Sequence, residues 1–184
     1  MALWGNTDAD EAKPKWMTSA EKADVFATDR GWVKLNGKGL EEVICSIGGL
    51  STAVGGADIN TAAFVSTAFD VSAGGNIDVR VIYNEKVTVT GSPTIAITNS
   101  QAGGGSAATK TATYQSGSGT NRLTFRCTIG AGGSTVSADD VLSIAAQNVA
   151  LAGGSLKDTG TTLNSLVAIS AAAGSAAGTL TAVA

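Results

Sequence analysis

Between residues 76 and 98 the chain reads NIDVRVIYNEKVTVTGSPTIAIT. Ile77, Val79, Val81 and Tyr83 share one phase and Asp78 and Arg80 the other, the period-two pattern of a strand with one buried face. Asn84-Glu85-Lys86 interrupts the pattern, VTVT (87–90) resumes it, and Gly91-Ser92-Pro93 turns the chain. Pro93 cannot donate to a ladder and belongs at a strand start or edge. TIAIT (94–98) then places Ile95 and Ile97 inward, and NRLTFRCTI (121–129) alternates as cleanly. Shorter apolar runs complete the set: VICSI (43–47) as a first strand, followed by the turn-rich GGLSTAVGGAD, then AAFVSTAFDV (62–71), VLSIAAQ (141–147), ALAGGSLKD (150–158) and LNSLVAIS (163–170). Many short strands at regular spacing predict an all-β, antiparallel sandwich over residues 43–170. Ala-Gly-Gly recurs at 73–75, 131–133 and 152–154 and marks turns needing positive φ. Its unequal intervals exclude a solenoid period. The last residues, AAAGSAAGTLTAVA (171–184), read as a low-complexity tail or a late edge strand.

Residues 1–42 follow a different pattern. They carry fourteen of the chain's charged side chains (12 Lys and Arg, 15 Asp and Glu in all) and all 3 tryptophans, Trp4, Trp16 and Trp32. The segment reads as an extended arm with little room for a core of its own. Pro14 stops helix propagation around it. Thr18-Ser19-Ala20-Glu21 matches a capping box and predicts a short helix over 19–27, with Val25 and Phe26 as its apolar content. GWV at 31–33 leads toward the body.

Composition narrows the chemistry. A chain of 184 residues can bury a genuine core in one domain. The net charge of −3 comes with no basic block, which gives nucleic-acid binding no support. No apolar run approaches the ~20 residues that span a bilayer. The opening MALWGNTDADEAKPKW is acidic where a signal peptide is basic and then apolar, so the chain is expected to be made, and kept, in a cytoplasm until something else carries it. Cys45 and Cys127 sit at apolar-phase positions and are expected to be reduced core residues. With no histidine there is no Ser-His-Asp or Cys-His catalysis, and zinc sites lose their commonest ligand. Gly117-Ser118-Gly119 opens like a dinucleotide fingerprint, but Arg122 stands where its third glycine belongs. Asp139-Asp140 and Asp158 could bind calcium at a sandwich end, though Asp at such places more often satisfies turn amides. The expectation is a protein that is not an enzyme and uses no cofactor.

The tryptophans carry the positive expectation. Aromatic residues make up only 5 % of the chain, yet its tryptophans are strung along a charged, proline-interrupted segment. Either this segment folds back onto the sandwich, or its Trp residues anchor in pockets on another subunit with charges setting the register. The second reading gives a partner-binding set of Trp4, Lys13, Lys15, Trp16, Phe26, Arg30 and Trp32.

Two stretches resemble known families. GGNIDVRVIYNEKVTVTGSPTIAIT, ATYQSGSGTNRLTFRCTI and LAGGSLKDTG are similar to bacterial immunoglobulin-like repeats of large surface adhesins. Gly74, Ile77, Val87, Gly91, Pro93, Tyr114, Gly117, Gly119, Leu123, Phe125, Gly153, Gly154 and Asp158 fall on that pattern across about residues 60–170. The resemblance implies an immunoglobulin-like sandwich used for display, spacing or adhesion. Where that family has an acidic loop after the LTF strand, this chain has GAGGSTVSADD. The opening, with Leu3-Trp4-Gly5, Thr7-Asp8, Lys13-Pro14-Lys15 and Arg30-Gly31-Trp32-Val33, resembles structural proteins of tailed phages, especially those of marine cyanobacteria. Together the two imply a virion protein on the capsid surface: a capsid decoration (cement) protein, anchored by its arm on the major capsid protein as a homo-oligomer in a symmetric lattice. A tail or neck component, or an adhesin-type module binding glycan, is the alternative.

Overall fold

The structure is a computed structural model that describes residues 13–28, 30–46, 56–66, 68–132, 135–160 and 162–184. Helix α1 (Ser19–Asp24) begins with the expected capping box: Thr18 Oγ1 accepts from the Glu21 N–H at 3.3 Å, and the Glu21 carboxylate accepts from the Thr18 N–H at 2.8 Å. It stops three residues short of expectation because Val25 is already extended (φ −94°, ψ 148°). The chain then forms β1 (Phe26–Thr28), β2 (Gly31–Leu35) and β3 (Glu41–Cys45), a small antiparallel sheet in the order β1-β2-β3. Phe26 faces Val33 across the first pair and Val33 faces Val43 across the second. Asn36 closes the β2–β3 turn, its Oδ1 accepting from the N–H groups of Lys38 and Leu40.

Residues 13–28 and 30–45 are therefore folded, where the sequence predicts an extended arm over 1–42 and a first sandwich strand at 43–47. Two short apolar alternations, Phe26/Thr28 and Trp32/Val33/Leu35, suffice once they pair with each other. Alone they are too short to register as strands. VICSI contributes Val43–Cys45 to this small sheet, and its Ile47 lies outside the described residues.

The body comprises β4 (Ile59–Phe64), β5 (Ala68–Asp70), β6 (Gly75–Thr90), β7 (Thr94–Asn99), β8 (Thr109–Ser116), β9 (Thr120–Ile129) and β10 (Val141–Ser143). β11 (Gln147–Asn148), β12 (Ser155–Asp158), β13 (Ala168–Ile169), α2 (Ala171–Ala176) and β14 (Thr179–Val183) follow. Nine strands make one sheet in the order β12-β6-β9-β8-β7-β10-β14-β5, with β4 also on β6, while β11 pairs with β13. The sheet curls on itself as a sandwich. Its inner face buries Ile77, Val79, Val81 and Tyr83 of β6, Ile95 and Ile97 of β7, and Leu123, Phe125 and Cys127 of β9 in one core with Leu142, Leu156 and Leu180. The all-β sandwich read from alternation is the architecture present.

Three local differences have physical causes. The interruption at Asn84-Glu85-Lys86 does not end a strand: β6 runs through it as an irregularity, its pairing with β9 jumping from Ile82↔Arg122 to Val87↔Thr120. The C-terminal residues are neither tail nor edge. Leu180 and Ala182 alternate inward, and β14 lies between β10, antiparallel, and β5, parallel. LNSLVAIS keeps only Ala168–Ile169 as strand, because Asn164 makes an isolated bridge to Lys157 and Leu166 turns away to the surface. The Ala-Gly-Gly turns do carry positive φ, at Gly74, Gly132 and Gly153.

Candidate functional site

The long irregularity in β6 is where the N-terminal unit sits. Lys86 projects from it over the Phe26 ring, 5.5 Å from the ring centroid, and forms an ion pair with Glu41 of β3. Arg30 reaches the other oxygen of the same carboxylate. The hydrogen bond from Lys86 holds the Glu41 carboxyl below its ordinary range, against the opposing effect of burial, and Arg30 adds to it. On the outer face of β9, Arg122 Nε donates to Asp24 Oδ1 at 3.0 Å and its Nη2 completes a two-pronged pair at the end of α1. Asn60 of β4 donates to the Ala23 carbonyl at 3.3 Å. A shallow cleft of about 250 Å³ lies at the seam, between Ala27–Thr28, Glu85–Lys86 and Asp158–Gly160.

Within the unit the small sheet has two apolar faces. Met17, Val25 and Trp32 form one cluster with Ala27, Ile44 and Cys45 against it, and Phe26, Val33 and Leu35 form the other. Trp32 and Phe26, expected as anchors for a partner, are thus consumed inside the chain, at 2 % and 0 % exposure. The Trp32 Nε1 has no hydrogen-bond acceptor. Lys13 is buried too, with its Nζ donating to the Lys22 carbonyl at 2.6 Å. Arg30 is exposed but committed to Glu41. Trp4 lies outside the described residues.

Lys15 and Trp16 behave differently. They occupy a turn closed by the Met17 N–H on the Pro14 carbonyl at 3.1 Å, and Lys15 is exposed while Trp16 is 65 % exposed. Pro14 fixes φ before the turn, Met17 is buried after it, and the capped helix follows. An exposed Trp on a backbone constrained from both sides loses little further freedom on docking. The structure brings Lys13, Lys15 and Trp16 together with the start of α1. It separates them in role from Phe26 and Trp32.

Two of the three carboxylates considered for calcium are enclosed by the protein. Asp140 is fully buried and accepts from Asn99 Nδ2 at 2.9 Å and from the N–H groups of Gly103 and Ser137 at 2.8 and 2.9 Å. Burial pushes its pKa up, but the amides of Ser137, Asn99, Gly103 and Gly105 together pull it below the ordinary value. Asp158 is buried at the end of β12. Asp139 is exposed at positive φ. Among the described residues, no three His, Cys, Asp or Glu side chains stand close enough to share a metal ion, and no helix is long and apolar enough to cross a membrane. Cys45 and Cys127 are free thiols, and burial raises the pKa of Cys127.

Sequence reasoning missed the seam. Asp24, Glu41, Lys86 and Arg122 hold the two units together, yet they are distant in sequence, and Lys86 reads as the partner of its neighbour Glu85. No local pattern encodes a pair separated by 45 or 98 residues. No protein-family model, curated protein or solved structure matches the chain.

Proposed function

We propose that this chain is a non-enzymatic virion structural protein, a capsid decoration (cement) protein that docks on the major capsid protein through its N-terminal segment and turns its sandwich outward. The observation that carries the reading is Trp16, a large aromatic side chain held 65 % exposed on a constrained turn beside exposed Lys15. Trp is the typical centre of an interface hot spot, and an adjacent cation orients the approach without adding a large desolvation cost. The resemblance of the opening residues to tailed-phage structural proteins supports the same assignment. Single copies would bind weakly through so small a patch, and repetition around a symmetric lattice would supply the rest through avidity.

Sedimentation velocity of the full-length chain and its Trp16→Ala variant, each with and without empty capsids, tests this. The full-length chain should cosediment. The variant should bind about tenfold more weakly or worse, with a melting temperature within roughly 2 °C of the parent because the side chain removed is exposed. A variant that cosediments like the parent overturns the anchor. Self-association of the full-length chain without capsid binding would instead place it in a tail or neck ring.

A further inference from the structure

Among the described residues, one arginine of the body stands without a counter-charge. Of the four arginines, Arg30 pairs with Glu41, Arg122 with Asp24, and Arg126 with Asp78 through two bonds of 2.7 Å. Arg80 finds no ion-pair partner and no side-chain hydrogen bond among the described residues. It is half-buried in mid-strand, and Asp78, two residues away on the same face, is already engaged by Arg126.

Arg80 is opposite Thr124 of β9, and Thr124 is opposite Ser116 of β8. Directly opposed residues on neighbouring strands stand about 5 Å apart. A guanidinium and two hydroxyls therefore form a row across three strands, and neither hydroxyl is spent on another group among the described residues. Thr120, by contrast, uses its hydroxyl on the Gly117 and Arg122 carbonyls. The row floors a cleft of about 240 Å³ between the β8–β9 hairpin and the β2–β3 turn. Gly37 and Gly39 on the turn side leave open space where side chains would stand. The cleft has room for one charged group and part of the small ligand bearing it.

We propose that this cleft binds a sugar carrying a single oxyanion, a carboxylate or a sulfate ester. Arg80 forks the oxyanion, while Ser116 and Thr124 exchange hydrogen bonds with ring hydroxyls. The planar guanidinium matches a two-oxygen anion in geometry, and free hydroxyls both donate and accept, as sugar hydroxyls do. The site belongs to the body and its seam with the β2–β3 turn, and is independent of whether the chain decorates a capsid.

The test is ¹⁵N-resolved NMR titration of the full-length chain with glucuronate, glucose 6-sulfate, glucose and inorganic sulfate at matched ionic strength. One or both of the acidic sugars should shift the amides of Arg80, Ser116 and Thr124 with a dissociation constant in the millimolar range, and which of them does identifies the anion. Glucose should bind about tenfold more weakly or not at all. Arg80→Gln, which leaves no carboxylate orphaned, should abolish the shifts, and Thr124→Val should weaken them. Lys157→Gln, an exposed side chain on β12 outside the cleft, should not. Absence of shifts with both acidic sugars, or unchanged binding by Arg80→Gln, overturns the proposal. Equal binding of inorganic sulfate and the acidic sugars overturns its sugar component.

Discussion

Asp140 has no exposed surface, and its oxygens collect the Asn99 amide and the backbone N–H groups of Gly103 and Ser137 from two loops separated by more than thirty residues. Replacing it by Ala would strand the buried Asn99 amide and take the acceptor from two part-buried N–H groups, those of Gly103 and Ser137, at about 1–3 kcal/mol for each donor left unsatisfied. Asp140→Ala should therefore lose about 3 kcal/mol or more in urea unfolding. The pH dependence has a defined sign. Its folded pKa lies below the ordinary 3.8, so its contribution is complete above that value and is lost as the pH falls through the lower folded one. Between pH 6 and pH 2 the urea midpoint of the parent should drop below about pH 4, and Asp140→Asn, which cannot titrate, should remove part of that drop. An unchanged pH profile in Asp140→Asn would show that other carboxylates dominate the acid limb. At this scale the sequence places Asp139-Asp140 correctly at a turn, but not which of the two is buried. That choice is made by Asn99 and Gly103, which sequence distance hides.

Among the elements, the β8–β9 hairpin is the one best specified by its own residues. Tyr114 Oη accepts from the Ser118 N–H at 2.8 Å, Thr120 Oγ1 donates to the Gly117 carbonyl at 2.7 Å, and the Tyr114 ring meets Phe125 edge-on with centroids 6.1 Å apart. Gly117 is at φ 112°, and a Cβ there would lie 2.0 Å from the Arg122 carbonyl oxygen. Gly117→Ala combines backbone strain with a clash against backbone, so it should cost about 3 kcal/mol or more, read as a fall in denaturant midpoint. Gly119→Ala meets no neighbour within 4 Å and bears only the cost of its φ of 80°, so it should be the milder change. Equal effects would mean that steric contact at Gly117 relaxes freely. Among the longer strands, β6, β7 and β9 were legible because their alternation repeats often enough to exclude chance, whereas β4 begins three residues before the expected run at 62–71 and β8 was not set out by the pattern. β1 and β2, at three and five residues, were not. Their strand state comes from a partner, and no window of that length carries a period.

For the whole molecule, the decisive fact is that the N-terminal unit and the sandwich share a seam but not a core. The large core draws its buried residues from Ala57 to Ala182, while the small clusters draw theirs from Met17 to Leu35. Across the seam run the Lys86–Glu41 and Arg122–Asp24 pairs and the Phe26 ring beneath Lys86. Deleting residues 1–33 cuts through β2, removes Asp24, Phe26 and Trp32, and leaves half-buried Arg122 without its carboxylate. The sandwich core is untouched, so the far-ultraviolet spectrum should keep its β character. The melting temperature should fall by about 5–10 °C, as expected for the loss of roughly 2–3 kcal/mol in a chain of this size. A truncated chain melting with the parent would show that the seam carries no stability. One that does not fold would show that the two cores are energetically one. Either way the deletion perturbs Arg122 and Lys86 as well as removing Trp16, so a loss of capsid binding by it would mix docking with stability. Trp16→Ala separates them, because the exposed indole touches the partner question alone while Trp32, two turns of chain away in the same unit, answers only for the fold.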